Sequence, residues 1–105
     1  MKRITIIGNV GRVPTLRQSS NGKKFYELSV AVNSANDDVF WVNLILRESA
    51  ANVVPYISKG KLIFAEGNFS VDVYKNAPSV TLYVDNIQLL GGNEKQTSNE
   101  NADVY

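Results

Sequence analysis

Alternation constrains this chain more than any other feature. Apolar side chains recur at every second position in one stretch after another. They are Ile4 and Ile6; then Tyr26, Leu28, Val30 and Val32; then Phe40, Val42, Leu44 and Leu46. The same pattern returns in Phe69, Val71 and Val73 and again in Val80, Leu82 and Val84. A period of two puts each set on one face of a β-strand. Between the first two strands lies SSNGKK, in which Asn21-Gly22 signals a tight turn. The polar segment SANDD separates the second strand from VFWVNLIL, the third. Its neighbouring carboxylates, Asp37 and Asp38, read as a solvated turn.

One segment departs from the rule. In ESAANVVPYISKG, residues Ala50, Val53, Val54 and Ile57 follow helical spacing, which predicts a short helix. Pro55 is tolerated only in a first turn, so either Asn52 caps a short final helix or a helix from Ser49 is kinked. Gly60 closes the segment. A fourth strand, KLIFAEGNFSVDVY, carries Gly67 inside it as an expected bulge or bend, and Phe69, Val71 and Val73 are expected in the core. Lys75-Asn76-Ala77-Pro78 forms a turn, and the fifth strand, SVTLYVDNIQLL, stops at Gly91-Gly92. Three strands, one helix and two strands is the order of the OB-fold, an all-β, five-stranded Greek-key barrel. The expected domain is 1–92; the polar, Asn-rich 93–105 is expected to be a disordered tail.

A chain of 105 residues has room for one small core. It holds neither cysteine nor histidine, which removes disulfides, the usual zinc ligand sets and the usual nucleophile–base pairs. No enzymatic activity and no cofactor or metal are expected. The absence of cysteine sits easily with a reducing cytoplasm, and neither a membrane span nor a secretion signal is seen, so a cytoplasmic protein is expected. The net charge of +1 conceals an asymmetry. Residues 1–24 hold Lys2, Arg3, Arg12, Arg17, Lys23 and Lys24 and no acid, whereas the tail is acidic. A basic front suits a polyanionic partner; a merely solvated basic surface is the alternative.

If Phe40 to Leu46 line a barrel, then Trp41 points outward beside Asn43. An outward tryptophan either stacks on a partner such as a nucleobase or packs on a loop or a neighbouring subunit. Tyr74, at the end of the fourth strand, is a second exposed platform or a half-buried strand end. Asp72 on the same face would repel phosphates. Tyr83 faces outward on the fifth strand and belongs to an interface or a second apolar surface. Aromatics on a sheet ringed by cations are the physical recipe for single-stranded nucleic acid. Gly8 and Gly11 form a G-x-x-G that is followed by extended sequence and not by a helix, so Rossmann and phosphate-loop readings fail. Their expected role is to bend the first strand and turn it into the second.

These residues resemble a known family. ITIIGNVGRVPTLRQSSNGKKFYELSVAVN is similar to the opening of bacterial single-stranded DNA-binding proteins. WVNLILRESAANVVPYISKGKLIFAEGNF continues the likeness, in the same order and spacing, so that it spans about residues 3–91. The resemblance implies an OB-fold, sequence-tolerant binding of single-stranded DNA in replication, recombination or repair, no enzymatic activity, and a homo-oligomer, favouring a tetramer over a dimer. It implies stacking at Trp41 and Tyr74 and phosphate contacts from Lys2, Arg3, Arg12, Arg17 and Lys24, to which Lys23 and Asn43 add themselves by position. Where the family has a phenylalanine at the end of the third strand, this chain has Arg47, able to stack or to grip phosphate. The tryptophan usual near Asn36 is missing, and Asn-Ala-Asp-Val-Tyr replaces the acidic partner-recruiting tip. Those departures imply a weaker or smaller site and leave replication or repair partners open. A second functional reading keeps the fold: a dimer like primosomal protein N, bridging proteins and DNA in replication restart.

Overall fold

The computed structural model describes residues 2–33 and 38–91. Five strands, β1 (Arg3–Gln18), β2 (Lys24–Asn33), β3 (Val39–Arg47), β4 (Leu62–Tyr74) and β5 (Ala77–Leu89), close into a barrel in the order β1-β2-β3-β5-β4. Every neighbouring pair is antiparallel except β3 and β5, which run parallel from Val42↔Val80 to Ile45↔Tyr83. This is the OB-fold layout that the order of the elements predicts. The Asp37–Asp38 turn and the tail from Asn93 lie at least partly outside the described residues.

Alternation builds the interior. Leu28 and Val30 from β2, Val42, Leu44 and Leu46 from β3, Ile63 and Ala65 from β4, and Leu82 and Val84 from β5 are buried together. The segment between β3 and β4 forms two short 3₁₀ turns, Glu48–Ala50 and Val54–Tyr56. The four residues at helical spacing do face inward: Ile57 is fully buried and Ala50, Val53 and Val54 pack around it, stoppering one end of the barrel. Pro55 sits in the first turn of the second piece, as its chemistry requires, and keeps that piece short. The residue preceding it is Val53, not Asn52, and it provides no side-chain cap.

Two glycine expectations are corrected. β1 does not turn at Gly8 and Gly11; it runs on through both, with register shifts on either side of Arg12, and turns only at Ser19–Lys23. There Gly22 adopts φ +90°, the left-handed conformation that the Asn-Gly signal anticipates. A Cβ on Gly8 would stand 2.5 Å from the Ala31 carbonyl oxygen, so this glycine serves close packing of strands. The bulge expected at Gly67 is present, but its extra residue is Asp85 on β5: Glu66 pairs with Asn86 and Gly67 with Val84. Gly67 is required because the backbone of Tyr83 lies directly against it.

Beyond Asn68, β4 leaves β1 and pairs with β5 alone, as a two-stranded ribbon tipped by Lys75 (φ 53°) and Asn76 (φ 63°). This corrects the expected core. Phe69 packs on the interior, but Val71 and Val73 lie past the end of the barrel and are 52% and 76% exposed. Phe40 is also exposed, since β3 begins before the barrel closes around it. The period of two assigned each residue to its face correctly; it could not say where along the strand the partner layer ends.

Candidate nucleic-acid interface

The outward side chains of β3 read Trp41, Asn43, Ile45 and Arg47, a row spanning roughly 20 Å at the rise of a strand. Trp41 is 55% exposed, and its ring reaches across β2, where its partner is Ala31, to lie over Gly11 of β1. A Cβ on Gly11 would stand 2.8 Å from Cη2 of that ring. The space left by the absent side chain is therefore taken by the far edge of the indole. The ring is thus backed by β1 while more than half of the residue stays open to solvent, as a stacking platform needs.

Asn43 continues the row beside Trp41. Its register partners are Ser29 on β2, itself paired with Arg12, and Thr81 on β5. At the far end, Arg47 shares a groove of about 960 Å³ with Lys23, Lys24, Phe25, Ile45 and Tyr83. The groove forms because Phe25 pairs with Arg47 across β2–β3 while Ile45 pairs with Tyr83 across β3–β5. Tyr74 stands near the ribbon tip, 67% exposed, with Lys75 Nζ 5.4 Å from its ring centroid. Lys2 precedes β1, and Arg3 opens it beside Asn68, whose other neighbour is Tyr83.

The six cations of the front segment are all exposed, but they are not equally available. Arg3 donates two hydrogen bonds to Asp85, at 2.8 and 3.1 Å, and Arg17 Nε donates to Glu27 at 2.6 Å. Arg12, Lys23, Lys24 and Arg47 form no ion pair among the described residues. Hydrogen bonding from Arg3 holds the Asp85 carboxyl below its ordinary 3.8, and Arg47 adds to the lowering through space. Because the folded value is depressed, the contribution of the pair is complete above 3.8 and fades as pH falls through the lowered value. It is intact at neutral pH, and being exposed it adds little stability.

Its effect is on charge instead. Asp85 and Glu27 each neutralise an arginine that a polyanion would otherwise meet. The change Asp85→Asn is therefore expected to tighten binding of single-stranded DNA and to steepen its salt dependence. The slope of log K against log salt should grow by about 0.7, the value for one further phosphate contact on a single strand. An unchanged slope in salt titrations would show that Arg3 stays away from phosphate.

Sequence reasoning had not singled out Phe25 or Lys75, and left Tyr83 without a role on this face. Tyr83 carries a legible signal, an outward aromatic opposite Val80, Leu82 and Val84. The place of Phe25 emerges only from its register with Arg47. Among the described residues no helix is long and apolar enough to cross a membrane.

A model of the single-strand binding protein family matches residues 1–90. The single-stranded DNA-binding protein 1 of Nostoc sp. is 31% identical over 100 residues, covering 87% of this chain and 84% of that protein. The protein of the same description from Staphylococcus aureus is 28% identical over 117 residues, covering all of this chain and 74% of the relative. Among solved structures, the mitochondrial single-stranded DNA-binding protein Rim1 of S. cerevisiae superposes with a TM-score of 0.73 at 25% identity. That match covers 90% of this chain and 97% of Rim1. The dimeric N-terminal domain of PriB from Thermoanaerobacter tencongensis shares the fold, with a TM-score of 0.68 at 14% identity, covering 87% and 98% of the two chains.

Proposed function

The chain belongs to the single-strand binding protein family, and we propose that it binds single-stranded DNA without reading its sequence. The observation that carries this reading is the outward row of β3. There a half-exposed tryptophan resting against Gly11 shares one face with an asparagine, an apolar residue and an arginine, and cations that form no ion pair among the described residues gather at the far end. Bases stack on Trp41 and Tyr74, while Arg12, Lys23, Lys24 and Arg47 contact the phosphates between them. Lys2 lies close to the same track, and Arg3 and Arg17 join it once phosphate displaces Asp85 and Glu27. Asn43 adds hydrogen bonds beside Trp41. None of this makes or breaks a covalent bond; the protein acts as a binder in replication, recombination or repair.

A homo-oligomer, with a tetramer as the favoured form, agrees with the outer face of β1 and β4. Ile7 is 52% and Leu62 40% exposed there, beside the partly buried Phe64. An apolar strip of this kind is what a second copy would cover. Mass measurement in solution separates the tetramer from a dimer.

Fluorescence tests the binding itself, because Trp41 is the one tryptophan in the chain. Titration with poly-dT is expected to quench the emission, and the binding constant should fall steeply as salt rises. Neither quenching nor a mobility shift at low salt would refute the reading.

A further inference from the structure

We infer that the groove around Arg47 is a second base-stacking site, with the rings of Tyr83 and Phe25 as its platforms. The inference rests on the proposed binding of single-stranded DNA and adds to it a place on the sheet distant from Trp41. Three observations carry it.

First, the groove is built from the two things an unstacked nucleotide needs. Tyr83, 51% exposed, and the half-buried Phe25 and Ile45 supply an apolar floor, while Lys23, Lys24 and Arg47 stand at its rim. Three cations face one lining acid, Glu48, so the local balance favours a phosphate. Its volume of about 960 Å³ falls within the roughly 300–1,000 Å³ of pockets that hold small ligands.

Second, the rings are held by the sheet and not by loops. The backbone of Phe25 is fixed by its pairing with Arg47, and that of Tyr83 by its pairings with Ile45 and Asn68. The bulge at Asp85 lies two residues beyond Tyr83, and the backbone of Tyr83 is seated against Gly67. An aromatic side chain on a fixed backbone has only two torsions to order when a base stacks on it.

Third, the position between them is filled by arginine. Arg47 lines the same groove as both rings and brings a planar cation within reach of the same base or its phosphate.

Binding of a fluorescein-labelled dT oligomer, compared with an abasic oligomer of equal length, tests the inference by anisotropy. Removing a stacking ring costs binding to bases and leaves binding to phosphates alone. Tyr83→Ser is expected to weaken dT binding about 5- to 150-fold, as for one stacked base, and to leave the abasic oligomer within twofold. Tyr83→Phe should restore the dT affinity, and Phe25→Leu, which keeps an apolar side chain without the ring, should show the same base-dependent loss. Unchanged dT binding in both Tyr83→Ser and Phe25→Leu overturns the inference while leaving the proposed function intact. Equal losses on dT and abasic chains overturn it as well, since the rings would then act through the fold. If the unaltered protein binds no dT, the proposed function fails, and the inference with it.

Discussion

Trp41→Ala is expected to weaken binding of single-stranded DNA by about 1–3 kcal/mol, or roughly 5- to 150-fold, on every base composition alike. The size follows from the geometry. The indole is 55% exposed yet its edge rests against Gly11, so the ring is backed by the sheet while much of its surface stays open to a base. No side chain from elsewhere in the described sheet covers for it, because its neighbour on β2 is Ala31 and the next outward residue of β3 is Asn43. Truncation should leave the fold intact, since the buried residues of β3 are on the opposite face. Anisotropy titrations with labelled dT, dC and mixed oligomers at one fixed salt concentration measure the effect. A loss confined to one base would contradict stacking and point to hydrogen-bonded readout at Asn43. Affinity unchanged from the parent protein on every oligomer would remove Trp41 from the interface.

The second large effect concerns the barrel. Gly67→Ala is expected to destabilise the fold by about 2–3 kcal/mol, the upper part of the range for overpacking in a closely packed site. A methyl group at Gly67 would meet backbone: the Tyr83 carbonyl carbon at 2.9 Å and the Val84 Cα at 3.0 Å. A flexible side chain could rotate away, whereas these atoms move only if β4 and β5 separate. At this point the strands are also adjusting register around Asp85 and bending the sheet toward closure. For a domain of this size the loss corresponds to a melting temperature lower by about 10–20 °C. Thermal unfolding followed by far-UV circular dichroism reads it directly. A variant that melts with the parent would mean that the close approach at Gly67 is relaxed in solution.

The two predictions concern different positions but the same device. In each case a missing side chain lets a neighbour come close, the Trp41 ring at Gly11 and the β5 backbone at Gly67. From the sequence these glycines suggested a bend and a bulge, because glycine is most often legible as conformational freedom. Neither has a positive φ. What they supply is space, and the claimant of that space is 30 residues away for Gly11 and on the next strand for Gly67. Local sequence carries no record of such a neighbour.

The charges divide in the same way. Six basic residues ahead of the first acid were plain in the sequence, and they pointed to a polyanion. That Arg3 is held by Asp85 and Arg17 by Glu27 required the strands to be laid side by side. Glu27 is ten residues from Arg17 and Asp85 is 82 from Arg3. Of the six front cations, ion pairs thus hold two, and the charge open to a polyanion is smaller than the count of basic residues implies.

By itself the sequence determined the strands, their inner and outer faces, the inserted segment that stoppers the barrel, and the outward tryptophan. These are local or periodic properties: alternation, the Asn-Gly turn, helical spacing around Pro55. Tertiary structure alone decided where the barrel ends along each strand, leaving Phe40, Val71 and Val73 outside it. It also decided which cations are neutralised, and that Phe25, Arg47 and Tyr83 share a groove. The physical reason is common to all three. Exposure, pairing and proximity belong to residues that meet across strands, and strand register is set by the closure of the whole sheet rather than by any segment within it.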